Sequence, residues 1–214
     1  MESQTIGSIA LMLGAGWASG INLYAAMLVL GWMGMSGQVD LPPGLEVLSN
    51  PMVMGAAGLM FVVEFFADKI PGLDSLWDGI HTFIRIPAGA LMAAGAAQGL
   101  DMGTAGELTG LILGGSLAAT SHASKASTRA LINTSPEPVS NWTASVTEDL
   151  AVVGGLWTAL NHPWLFLLLL TLFILLAAWL LPKIWHLLRA AGKTLFNWFR
   201  KPPSTTDSNQ QPGE

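Results

Sequence analysis

The chain has 214 residues, of which 51% are hydrophobic and only 11% charged, against roughly 25% charged in an average soluble domain. Its formal net charge is −5, which argues against a nucleic-acid partner. The absence of cysteine excludes a disulfide framework and thiolate metal sites. The 24 Gly and 12 Pro suit an all-α polytopic membrane protein, in which small residues let helices approach closely and neighbouring helices satisfy interrupted backbone.

In chain order, the apolar segments predict helices at about 6–34, 51–68, 84–99, 105–121, 144–160 and 163–182, the first and fourth of them irregular. The first eight residues contain no Lys or Arg. The positive flank of a cleavable signal peptide is therefore missing, and the first apolar stretch is expected to be a retained helix. Pro42, Pro43, Asn50 and Pro51 mark one connection, and polar stretches at 68–81 and 121–143 mark two more. The stretch 164–181 is uncharged and rich in Leu, Phe and Ala, about the 18 residues that span hydrocarbon. Beyond Pro182, apolar Trp185, Leu188, Leu195 and Phe199 alternate with Lys183, Arg189, Lys193 and Arg200. This pattern predicts an amphipathic basic helix at 183–201 lying on anionic lipid headgroups. A Pro-, Ser- and Gln-rich disordered tail is expected at 202–214.

Six spans place all nine basic residues on one side: Lys69, Arg85, Lys125, Arg129, Lys183, Arg189, Lys193, Arg200 and Lys201. The opposite loops keep only Asp40, Glu46, Asp101 and Glu107. By the positive-inside rule this predicts a bacterial inner-membrane protein with both termini in the cytoplasm.

Leu11, Gly14, Ala18 and Ala26 recur in register as Leu111, Gly114, Ala118 and Ala126. Each set opens a group of three helices, and an odd number of spans makes the copies antiparallel, so the membrane domain at 1–182 is predicted to be an inverted repeat of about 5–100 and 104–182. Such repeats are typical of transporters, whose broken helices meet near the midplane. Two candidate breaks combine small residues with a polar side chain at matching positions: 14–22, with Ser19 and Asn22, and 114–122, with Ser121 and His122. Close helix packing explains the same small residues.

Glu64 lies within an apolar helix, where an ionised carboxylate is costly and faces a cavity or a partner. Its i,i+4 spacing to Asp68 also admits ordinary pairing at the membrane edge. Glu64, Asn22, His122, Ser19 and Ser121 are the predicted pathway residues. Asp68, Lys69, Arg85, Lys125, Arg129, Glu148 and Asp149 are the predicted cytoplasmic gate or anion-attracting rim. Asp74, Asp78, His81 and Arg85 fall on one helical face, better suited to a solvated or ion-paired surface than to a metal, because the arginine opposes a cation. His122, Lys125 and Arg129 form a basic face able to hold a phosphate or another anion. No phosphate-binding loop, zinc-hydrolase pattern or nucleophile elbow is present, so no enzyme and no cofactor is expected.

The segments 16–24 (GWASGINLY), 64–74 (EFFADKIPGLD) with Trp77 and Asp78, 121–129 (SHASKASTR) and 133–138 (NTSPEP) resemble a bacterial multi-pass membrane family catalogued as a domain of unknown function, numbered 4126. The resemblance covers about residues 7–180 and implies no activity, ligand or site. The expected function is a small transporter or a lipid or anion translocator. The competing expectation is a non-transporting interaction or assembly protein whose intramembrane charges are structural. Partners are the lipid bilayer and anionic headgroups at 183–201, and a homo-oligomer is compatible with both readings.

Overall fold

The structure is a computed structural model that describes residues 2–70, 72–133 and 138–200, with the side chains of residues 3, 138, 188 and 191–200 left out of the description. Six α-helices follow one another: α1 (Glu2–Met35), α2 (Pro51–Ala67), α3 (Leu73–Ala97), α4 (Gly103–Ile132), α5 (Pro138–Asn161) and α6 (Pro163–Arg200). Short 3-10 helices at Pro43–Ser49 and Gln98–Leu100 lie in two of the connections, and no strand occurs among the described residues.

Local chemistry sets several boundaries. The Asn50 side chain accepts from the Met52 N–H at 2.8 Å and Pro51 takes the first helical position, where its missing donor costs nothing, so α2 starts there. Gly72, at φ 86°, turns the chain into α3. The Asp74 carboxylate then accepts from the N–H groups of Gly72 at 2.9 Å and Ser75 at 2.6 Å, placing negative charge at the helix start.

The helices run well into the stretches read as polar connections. α3 already includes 73–83, α4 continues to Ile132, and α5 begins before 144. The polar residues there keep helical spacing and pack against one another, so the low hydropathy marks a buried polar face instead of a loop. α6 also differs from expectation: it continues without interruption through Pro182 to Arg200, so no separate helix begins at 183. Good helix formers surround that proline and sustain the helix. The tail at 202–214 and Lys201 lie outside the described residues.

By length and composition, segments of α1, α3 and α6 can cross a membrane. The 3-10 helix at Pro43–Ser49 with α2, bent by 69°, adds a fourth candidate if it counts as one broken span. α4 and α5 are long enough at 30 and 24 residues, but their polar inner faces lower their average hydropathy.

The helices are amphipathic in the opposite sense to those of a water-soluble protein. On α5, Val139, Trp142, Val146, Leu150, Val153 and Trp157 form an exposed stripe, while Asn141 and Ser145 are buried. On α3, Leu76, Ile80, Phe83 and Leu91 face outward and Asp74, Asp78, His81 and Arg85 face inward. Large apolar residues outside and charges inside reverse the usual partition, as expected when the surroundings are lipid tails.

α1 is broken at Asn22, whose φ and ψ of −146° and 98° leave the helical region. This is the first predicted break. The second is absent, because α4 is one continuous helix from Gly103 to Ile132. The two matched segments nevertheless cross each other. A Cβ on Gly16 would stand 2.6 Å from the Gly114 Cα, and one on Gly20 would collide with the Ser121 hydroxyl and the Ala118 carbonyl. Glycine therefore permits backbone-to-backbone contact between α1 and α4, and Ser121 donates across it to the Trp17 carbonyl at 2.8 Å.

Replacing Gly16 with Ala should destabilise the protein by about 1–3 kcal/mol through overpacking, read as a lowered unfolding midpoint in detergent. Gly55→Ala, on α2 with nothing within 4 Å of the added carbon, should be neutral or slightly stabilising. Equal midpoints for the two variants would contradict the tight crossing.

Candidate functional site

The polar faces of α2 to α5 converge on one buried cluster. α2 supplies Glu64, with Asp68 at its end; α3 supplies Asp78 and Arg85; α4 supplies Lys125 and Arg129; α5 supplies Glu148. Glu64, Arg85 and Arg129 are fully enclosed. Arg85 donates from Nη2 to Glu64 at 2.7 Å and from Nη1 to Asp78 at 2.8 Å. Lys125 is the hub. Its Nζ lies 2.7 Å from Asp68, 3.4 Å from Glu64, 3.5 Å from Glu148 and 3.7 Å from Asp78. Arg129 donates to Glu148 at 2.7 Å and to the Asp68 and Asn141 carbonyls at 2.9 and 3.1 Å.

Pairing of this kind is obligatory. Isolated charges in a low-dielectric interior would cost several kcal/mol each, and only close partners offset that desolvation. The cluster does not balance, however: four carboxylates meet three cations, leaving one negative charge over. Glu64 Oε2, Asp68 Oδ1 and Asp78 Oδ2 are buried without a hydrogen-bond partner among the described residues.

A second layer orients these groups. Ser19 donates to the Arg85 carbonyl at 2.9 Å. At the break in α1, the Asn22 amide nitrogen donates to Asp149 at 2.9 Å and its oxygen accepts from the Ala25 N–H at 2.9 Å, so one side chain ties the irregular backbone to α5. The Thr82 hydroxyl donates to the Asp78 carbonyl at 3.0 Å and lies 2.7 Å from His122 Nε2. Nδ1 of the same ring lies 3.4 Å from Arg85 Nη1, so His122 links α3 to α4 beside the cluster. Asn133 donates to both oxygens of Asp74 at 2.9 Å, and Asn141 donates to Asn133 at 3.1 Å. That chain joins the start of α3 to the end of α4 and leads back to Arg129.

Ser121 stays at the α1–α4 crossing, while the other residues expected in a pathway or gate lie in this cluster or in the layer around it, two of the expected placements being modified. Lys69 bonds the Phe65 carbonyl at 2.9 Å and Ser145 at 3.2 Å instead of a carboxylate, beside the cluster. Lys125 and Arg129 point into carboxylates, so they present no free basic face to an anion. Asp78 is the important partner that the sequence reading left on a face judged solvated or paired. Its i,i+7 spacing to Arg85, with exposed Ile80 and Phe83 on the other side of the helix, was the available signal. His81, placed by its spacing on the same face as Asp78 and Arg85, meets Tyr24 at 3.2 Å, whereas the parts played by Tyr24, Asn133 and Asn141 depend on helices distant in the chain. Among the described residues no group of three or more His, Asp or Glu has a geometry able to hold a metal.

Removing Arg85 leaves two carboxylates without their principal partner. Arg85→Met should lower stability by about 3–5 kcal/mol, and Glu64→Gln added to it should restore about 1 kcal/mol or more, both measured by unfolding in detergent. A wild-type midpoint for Arg85→Met would refute the structural importance of the pair.

No curated protein and no solved structure shows a significant match to this chain. A family model described as Domain of unknown function (DUF4126) matches residues 9–183, which includes every member of the buried cluster. The chain belongs to that family.

Proposed function

We propose that this protein is a small transporter of the bacterial inner membrane, built of six spans in an inverted repeat of three plus three, with both termini in the cytoplasm. It acts as a carrier and not as an enzyme, and it needs no cofactor. The observation that carries this reading is the sealed charge cluster around Glu64 in a protein whose outer surface is apolar. A static bundle of this size is built at lower cost from apolar residues, and ionisable groups at membrane depth are by default functional.

The cluster has the attributes of a closed gate. It bonds four helices through groups that can exchange partners, it adjoins the α1 break at Asn22, and its surplus carboxylate is suited to carry a coupling proton. The crossing of 14–22 with 114–122 supports the repeat, as do the matched Gly14 and Gly114. In this reading α4 and α5 complete the six spans, with their polar faces turned inward. On α6, Lys183 lies 3.2 Å above the Trp179 ring and Arg189 lies 4.7 Å from the Trp185 ring, pairs suited to anchoring at anionic headgroups.

A non-transporting assembly protein is the second reading. The close glycine packing favours it, as does the pairing of every cation in the cluster.

Glu64→Gln separates the two. It removes the surplus charge, leaving three carboxylates to three cations, so the variant should fold. In proteoliposomes carrying an internal pH-sensitive dye and offered a panel of solutes under an imposed pH gradient, flux should fall by about tenfold or more, equivalent to about 1.4 kcal/mol on the limiting step. Unchanged flux across the panel would remove the carrier reading.

A further inference from the structure

α4 and α5 diverge beside the charge cluster, and a groove of about 560 Å³ lies between them, within the roughly 300–1,000 Å³ usual for small-molecule sites. Four of its six lining hydroxyls are bonded alike. Ser124 and Thr128 on α4 donate their hydroxyl hydrogens to the Thr120 and Ser124 carbonyls, both at 2.9 Å. Thr143 and Thr147 on α5 donate to Val139 and Thr143 at 2.8 and 2.7 Å. Each of the four hydroxyls can keep its hydrogen on its own helix and still offer lone pairs to a donor in the groove.

The charged end has the same sign. Lys125 contributes to the lining, but its ammonium is held inward by four carboxylates and its side chain is only 1% exposed. Glu148 is the accessible ion at 15% side-chain exposure. Its Oε2 is taken by Arg129 and Lys125, whereas its Oε1 receives no hydrogen bond among the described residues. The site thus combines acceptors, one carboxylate and the cluster's surplus negative charge.

The remainder is apolar. Phe173 of α6 closes the groove and is shared with two smaller cavities: one of about 280 Å³ running along Leu169 and Leu170, and one of about 170 Å³ running along Leu176, Leu180 and Ile184. Hydrocarbon can continue from the polar groove along α6 in either direction.

We propose that this groove binds an amphiphile with a protonated primary amine as its head and an alkyl chain as its tail. The amine donates to Glu148 and the threonine hydroxyls, while the tail passes Phe173 onto α6. An anionic head is disfavoured, because it would meet the Glu148 carboxylate while Lys125 and Arg129 are already engaged by carboxylates. The proposal deepens the transporter reading by naming a class of cargo, but occupancy of the groove can be measured without transport.

The chain contains no cysteine, so Ala144→Cys, in the groove one turn from Glu148, introduces a single thiol without removing a hydroxyl. In phosphatidylcholine nanodiscs, which have no compartments, the rate of its modification by a methanethiosulfonate reagent reports occupancy. Dodecylamine at about ten times its Kd should slow modification about tenfold by mass action. Dodecanol and dodecanoate at the same concentration should have little effect. The protection should disappear with Glu148→Gln and weaken with the double change Thr128→Val and Thr147→Val, which leaves the ion pairs intact. Equal protection by dodecanol or dodecanoate, no protection by dodecylamine, or amine protection that survives both sets of changes would overturn the proposal. Protection without flux would leave the groove standing and remove the carrier; flux without protection would do the reverse.

Discussion

The position of Lys125 constrains most of the molecule. An ammonium group in a low-dielectric interior requires carboxylates at close range, and four of them reach it from α2, α3 and α5. Helices can converge on one point only if their backbones approach closely nearby. Gly16 against Gly114, and Gly110 against the backbone at Ala93, are the places where they do so. The small-residue packing and the charge cluster are therefore parts of one arrangement: glycine brings the helices within reach, and the ion pairs give them a specific register.

This arrangement changes the meaning of the basic residues. Lys69, Arg85, Lys125 and Arg129, four of the nine, are almost completely buried. They are interior structural charges rather than loop charges facing a membrane surface. An orientation argued from loop charge thus rests on the basic residues after Pro182. Arg85, Lys125 and Arg129 also cease to be candidates for an anion rim, because their carboxylate partners already neutralise them.

The cluster and the groove share Glu148 and Lys125. A cation entering between α4 and α5 would compete with Arg129 for Glu148, and a change at Glu148 is transmitted through Lys125 to Glu64, Asp68 and Asp78. Asp149, next to Glu148, holds Asn22 at the α1 break. The residue next to the groove's carboxylate is thus tied to the position where α1 leaves the helical region. The cluster is a set of ion pairs with more than one carboxylate in reach of each cation, beside a helix that is already interrupted.

Helix content, an irregularity of α1 within 14–22 and most members of the cluster, Asp78 excepted, were legible in the sequence, because they follow from composition, periodicity and the cost of isolated charge in an apolar segment. Glu64 stood out for that last reason alone. Only the tertiary structure decided that 73–83 and 121–132 belong to continuous helices whose polar faces are buried, since low hydropathy is the same for a wetted loop and for an inward polar face. It also decided that α4 continues unbroken, where glycine permits a break without requiring one. The partners of Lys125 lie 61, 57, 47 and 23 residues away along the chain, and the existence of the groove depends on how α4 and α5 pack. No local pattern of residues encodes such distances, because they arise only when all the faces pack at once.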